Sequence, residues 1–119
     1  MKELEKVIAV RVSSINDIAR MAASLVSMGQ PTYIIRYRSG DRSIYGIFAV
    51  FRDYYKNYGL PMVYYHVVEG DENGDKNYIA IRSDEVGETV SFVKGPKPGW
   101  ITIPIVNVAA PPPFMPEDL

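Results

Sequence analysis

Apolar and polar positions along this chain alternate with two periods, and the change of period marks the elements. Val7 to Val12 is a short run rich in β-branched residues and predicts a strand. Ser13 and Ser14 then offer a helix N-cap. Ile15, Ile18, Met21, Ala22, Leu25 and Met28 follow at helical spacing, and Gly29 with Pro31 ends the helix. From Thr32 to Arg38 the pattern returns to period two. Tyr33, Ile35 and Tyr37 share one face, and Ile34, Arg36 and Arg38 the other. Ser39-Gly40-Asp41 reads as a turn.

Residues 43–58 carry both signals. Their β-branched and aromatic content favours a strand. Ile44, Ile47, Phe48, Phe51, Tyr55 and Tyr58 nevertheless form a helical stripe that ends at Tyr58-Gly59-Leu60-Pro61, a strong helix stop. The stripe and the stop predict a second helix. Met62 to Val68 predicts a strand, Glu69 to Lys76 a turn around Asn73-Gly74, and Asn77 to Arg82 its hairpin partner. Thr89 to Lys94 and Trp100 to Val106 predict two more strands around the rigid turn Gly95–Gly99. Pro104 would place the last strand at a sheet edge. Strands and helices in this order predict an α+β domain over residues 1–108. It would have a mostly antiparallel sheet of four to six strands with one or two helices on one face. Residues 109–119 (AAPPPFMPEDL) form a proline-rich, acidic tail that can extend neither sheet nor helix.

Composition narrows the chemistry. At 119 residues, 47% hydrophobic and 23% charged, the chain reads as one globular domain. It has no cysteine, so disulfides and thiolate metal sites are excluded, and its single histidine, His66, excludes a histidine-rich metal site within one chain. No apolar run approaches the roughly 18 residues of a membrane span, and no signal peptide is evident. A cytoplasmic protein with no membrane association is expected. One glutamine, no cysteine and proline-stiffened loops fit a thermophilic, archaeal host.

Net charge is −1, but it is unevenly spread. Residues 31–58 hold five cations against two carboxylates, whereas residues 69–88 hold seven carboxylates against two cations. The basic stretch is also the aromatic one, because all tyrosines except Tyr78 lie between Pro31 and His66. Aromatic rings stack on bases without sequence preference, and arginine adds phosphate contacts. The leading functional expectation is therefore a non-enzymatic protein that binds single-stranded DNA or RNA. Arg36, Arg38, Arg42 and Arg52 would contact phosphates, and Tyr37, Tyr45, Tyr54 and Tyr64 would stack on bases. The same residues fit a tyrosine-rich core under solvated arginine stems, and only burial separates the two arrangements.

Other constellations point to no reaction. Asp71-Glu72-Asn73-Gly74-Asp75 begins like a calcium loop, but Lys76 and Arg82 occupy the positions where glycine and the final carboxylate are needed. His66 has no designated partner for acid–base work. Trp100 beside Lys97 fits either a stacking platform or a strand-start core residue. Prolines in Gly95–Gly99 remove the amides a phosphate loop would use. No catalytic residue, metal or cofactor is expected. The alternative is a protein-interaction or oligomerisation module, including a homodimer, that uses the sheet edge and the tail. Phe114, Met115 and Leu119 would then be the anchors for a protein partner.

Overall fold

The structure is a computed structural model that describes residues 8–30, 32–49 and 62–111. Among the described residues it holds a single helix, α1 (Ile15–Ser27), and seven strands: β1 (Ile8–Arg11), β2 (Thr32–Ser39), β3 (Arg42–Ala49), β4 (Met62–Glu69), β5 (Tyr78–Asp84), β6 (Gly87–Val93) and β7 (Ile101–Val108). The strands lie side by side in the order β1-β4-β3-β2-β7-β5-β6. The pairs β1/β4 and β2/β7 are parallel, and the other neighbours are antiparallel. The α+β expectation of a mostly antiparallel sheet of four to six strands is therefore corrected. The described chain is a mixed seven-strand sheet curled into a half-barrel, with one helix.

The helix is where local sequence dictates it. Ser14 is extended (φ −154°), and its hydroxyl accepts the Asp17 amide at 3.2 Å. The hydroxyls of Ser13 and then Ser14 hold the Asp17 carboxyl below the usual carboxylate range. At the other end Gly29 takes φ 78°, its amide reaches Val26 O, and the Gln30 amide reaches back to Leu25 O. Ile18, Ala19, Ala22, Ala23 and Leu25 are buried against the sheet. The three alanines let the helix axis lie close to it. Met28, expected on the apolar stripe, is 66% exposed at the cap.

The expected second helix is overturned over residues 42–49, which form β3; residues 50–61 lie outside the described residues. β3 sits between β2 and β4 and is buried on both faces, with Tyr45 and Ile47 on one and Ile44 on the other. A strand covered on both faces loses its polar alternation and reads as a continuous apolar run, which can mimic a helical stripe.

The expected hairpin across Asn73-Gly74 is overturned as well. β4 pairs with β1 and β3, while β5 pairs with β6 and β7. The 70–77 segment thus crosses from one part of the sheet to another. The edge position of Pro104 is corrected too. β7 lies inside the sheet, pairing with β5 through Ile101–Pro104 and with β2 through Ile105–Val108. The Ile105 amide donates to Asn77 O at 2.8 Å, so the Pro104 nitrogen points to the opposite side, where the β2 ladder has not begun. Proline costs no ladder bond at this changeover.

The curl can be measured from one contact. Tyr45 on β3 and Phe92 on β6 meet edge to face with centroids 5.8 Å apart. Four inter-strand steps separate these strands, about 19 Å in a flat sheet. The inner face therefore wraps around α1, enclosing Ile34, Tyr45, Ile47, Ile79, Ile81, Ile103 and Ile105.

Candidate nucleic-acid interface

The two faces of β2 and β3 separate the residues that the sequence had grouped together. Register places Ile34, Arg36 and Arg38 with Ser43, Tyr45 and Ile47 on the inner face, and Tyr33, Ile35 and Tyr37 with Ile44, Gly46 and Phe48 on the outer face. On β4, Tyr64, His66 and Val68 are inner, and Tyr65, Val67 and Glu69 outer.

The inner set forms an internal polar network. Arg36 is 1% exposed and Tyr45 is fully buried. The Arg36 Nε donates to Asn107 Oδ1 at 2.6 Å. Its Nη1 reaches the Lys76 carbonyl at 2.8 Å, the Asn73 carbonyl at 3.1 Å and the Tyr45 hydroxyl at 3.1 Å. The guanidinium also lies 5.6 Å from the Tyr45 ring centroid. The Tyr45 hydroxyl in turn donates to Asp71. Burial, and then this bond to Asp71, pushes the Tyr45 phenol up to about 12. Arg38 donates to the Gly74 carbonyl. The Asp71 carboxylate also accepts the Asn73 amide at 2.9 Å, closing a turn on itself. Arg36, Arg38 and Tyr45 thus clamp the acidic 71–76 loop onto the end of the sheet. Arg36 and Tyr45, expected on a binding surface, are structural.

Tyr64 also faces inward, half-buried beside Met21, Ser24 and Leu25 of α1. The His66 Nδ1 donates to the Val12 carbonyl at 3.1 Å and braces the β1–α1 junction. Arg52 and Tyr54, and the tail anchors Phe114, Met115 and Leu119, lie outside the described residues. Of the expected site residues, Tyr37 and Arg42 are on the outer face. There the structure adds residues that the sequence reading passed over, namely Arg11, Tyr33, Phe48 and Tyr65. Row by row, Val63, Phe48 and Tyr33 align, then Tyr65, Gly46 and Ile35, then Val67, Ile44 and Tyr37. Arg11 stands opposite Tyr65 and Arg42 opposite Glu69. Tyr33 is 52% exposed. Among the described residues no ion pair engages Arg11 or Arg42.

The outer face continues to β5. The β5/β7 register extends past Ile81↔Ile101 to bring Arg82 opposite Trp100. The Arg82 guanidinium lies 5.0 Å, and the Lys97 ammonium 4.0 Å, from the indole centroid. Trp100 therefore carries two cations. Strand alternation was the available signal for this arrangement, because Tyr33 and Tyr37 share parity on β2 while Arg36 does not.

Among the described residues no cluster of histidine or carboxylate side chains is arranged to hold a metal ion, and no helix is long and apolar enough to cross a membrane. An open groove of about 530 Å³ runs between α1 and the β5/β7 strand ends, floored by Ala23, Ile81 and Ile101. The ion pairs Arg20–Glu88 and Arg82–Asp84, each 3.4 Å, compensate the charges around it. No protein-family model, curated protein or solved structure matches this chain.

Proposed function

We propose that this chain is a non-enzymatic, cytoplasmic protein that binds single-stranded nucleic acid on the outer face of its sheet. The observation that supports the reading is the placement of Tyr33, Tyr37 and Tyr65 on one face of β2 and β4, with Tyr33 52% exposed, the other two half-buried, and Arg11 and Arg42 at the margins. Rings standing on a pleated surface offer π-faces to successive bases, and the guanidinium groups at the margin reach the backbone. The Arg82–Trp100–Lys97 cluster extends the same chemistry along the sheet. The carboxylates Asp71, Glu72 and Asp75 belong to the loop clamped at the end of the inner face, away from this surface. Tyr37 and Arg42 keep the roles expected of them, and Tyr33, Tyr65 and Arg11 take the places of Tyr45, Tyr64 and Arg36.

The test is fluorescence anisotropy with labelled oligo-dT and oligo-U at low and moderate salt, with a duplex control. Binding that prefers single strands and weakens with salt is expected. Tyr33→Ala and Tyr37→Ala should each weaken it about 5- to 150-fold, from a stacking contribution of about 1–3 kcal/mol per base. Val86→Ala, at a fully exposed turn, should leave it unchanged. Absence of binding at low salt, or Tyr→Ala variants that bind like the parent, would refute the reading. The competing reading is a protein-interaction module. It predicts a protein partner held without salt dependence.

A further inference from the structure

Among the described residues the half-barrel leaves two strands with one neighbour each, β1 and β6. They differ in protection. β1 has four residues and one of its outer-face positions is Arg11, whereas β6 runs seven residues, GETVSFV, with no proline and Glu88 as its one charge. Its side chains range from exposed at Gly87–Thr89 to half-buried at Val90–Val93. A long, weakly charged, β-branched edge is an open template for another strand.

We propose that β6 pairs with β6 of a second copy of this chain, antiparallel about a two-fold axis through Ser91. A two-fold axis normal to the sheet keeps each side chain on its own face, so opposed residues must share parity. Among such registers, the one centred on Ser91 sets Glu88 opposite Lys94 of the second copy, Thr89 opposite Val93 and Val90 opposite Phe92. It makes two symmetric ion pairs, with apolar pairs between them, from a single edge. Centring on Val90 instead sets Glu88 against Phe92, and centring on Thr89 sets it against Val90. Charge complementarity therefore selects the Ser91 register. Both partners of the new pair are available. The Glu88 and Lys94 side chains are 43% and 72% exposed, and their intrachain contacts, to Arg20 at 3.4 Å and to Asp75 at 3.6 Å, lie on the solvated surface. Joining the two edges would make one continuous fourteen-strand sheet and would not involve the outer-face rings Tyr33 and Tyr37 of β2 or Tyr65 of β4. The inference therefore stands apart from nucleic-acid binding.

The experiment is analytical ultracentrifugation of the full chain across a wide concentration range, with circular dichroism as the check on folding. The parent should sediment with twice the 13.4 kDa chain mass at high concentration. Glu88→Lys and Lys94→Glu each replace both ion pairs by like charges, and each should raise the dimer dissociation constant roughly tenfold or more. In a mixed dimer of the two variants, the introduced lysine of one chain faces the introduced glutamate of the other. The second pair of that dimer is the natural Glu88 against the natural Lys94. The mixture should therefore recover the parental dimer. A parent that stays monomeric at every concentration would overturn the proposal. So would reversals that leave a dimer unchanged, or a mixture no tighter than either variant alone. Oligonucleotide anisotropy on the same samples separates this outcome from the binding reading, because neither substitution touches the outer-face rings.

Discussion

Replacing Arg36 by methionine tests whether this guanidinium serves the fold or a ligand. Methionine replaces the apolar stem but is shorter by the guanidinium, so the variant loses every polar contact of that group. While the Tyr45 hydroxyl loses this donor but keeps its own bond to Asp71, three acceptors are left without it, namely Asn107 Oδ1, the Asn73 carbonyl and the Lys76 carbonyl. Each is partly buried, so water recovers some of the loss. At the low end of the cost for an unsatisfied buried group, about 1 kcal/mol each, the sum is about 3 kcal/mol. A chain of this length loses about 4 °C of melting temperature per kcal/mol, so the midpoint should fall by roughly 12 °C. The assay is thermal and denaturant unfolding of parent and variant, followed by oligonucleotide anisotropy at a temperature where both are folded. A destabilised variant with unimpaired binding is expected. A melting temperature within a degree or two of the parent, accompanied by lost binding, would refute the reasoning and return Arg36 to a ligand-contacting role.

Other consequences follow from the same geometry. The folded chain holds the Tyr45 proton up to about pH 12 while the unfolded chain releases it near 10. The stabilisation is therefore complete below pH 10 and lost as pH rises to 12, by about 3 kcal/mol. Tyr45→Phe should flatten that limb of the stability–pH curve and remove the late step of the phenolate absorbance titration. Ser14→Ala deletes the N-cap acceptor of the Asp17 amide and should cost about 1 kcal/mol in denaturant unfolding, whereas Ser14→Asp should restore most of it. A Cβ built on Gly74 would stand 2.5 Å from Arg38 Nη2. Gly74→Ala should displace this flexible side chain end and remove its bond to the Gly74 carbonyl, at about 0.5–1.5 kcal/mol. An Arg38→Ala, Gly74→Ala double mutant should then cost no more than Arg38→Ala alone, which a double-mutant cycle reads directly.

Local features of this chain were legible because they depend on neighbours in sequence. The helix from Ile15 follows from a serine cap, a 3.6-residue apolar period and a glycine stop, and the period-two run from Thr32 ends at the Gly40 turn. The strands around Tyr78, Gly87 and Ile101 were found for the same reason. Tertiary structure decided which strands meet. Nothing in residues 62–84 says that β4 and β5 belong to different parts of the sheet, because that choice rests on pairings with β1, β3, β6 and β7. It also decided the state of β3, whose double burial erased the alternation that identifies a strand. The divided role of the tyrosine–arginine segment came last. Sequence placed these residues together, and parity along β2 already separated Tyr37 from Arg36. Only the curl of the sheet around α1, closed by Tyr45 against Phe92, determined which parity became the interior. Side-chain period is a property of the local backbone. Which face of a sheet is covered is a property of everything packed against it.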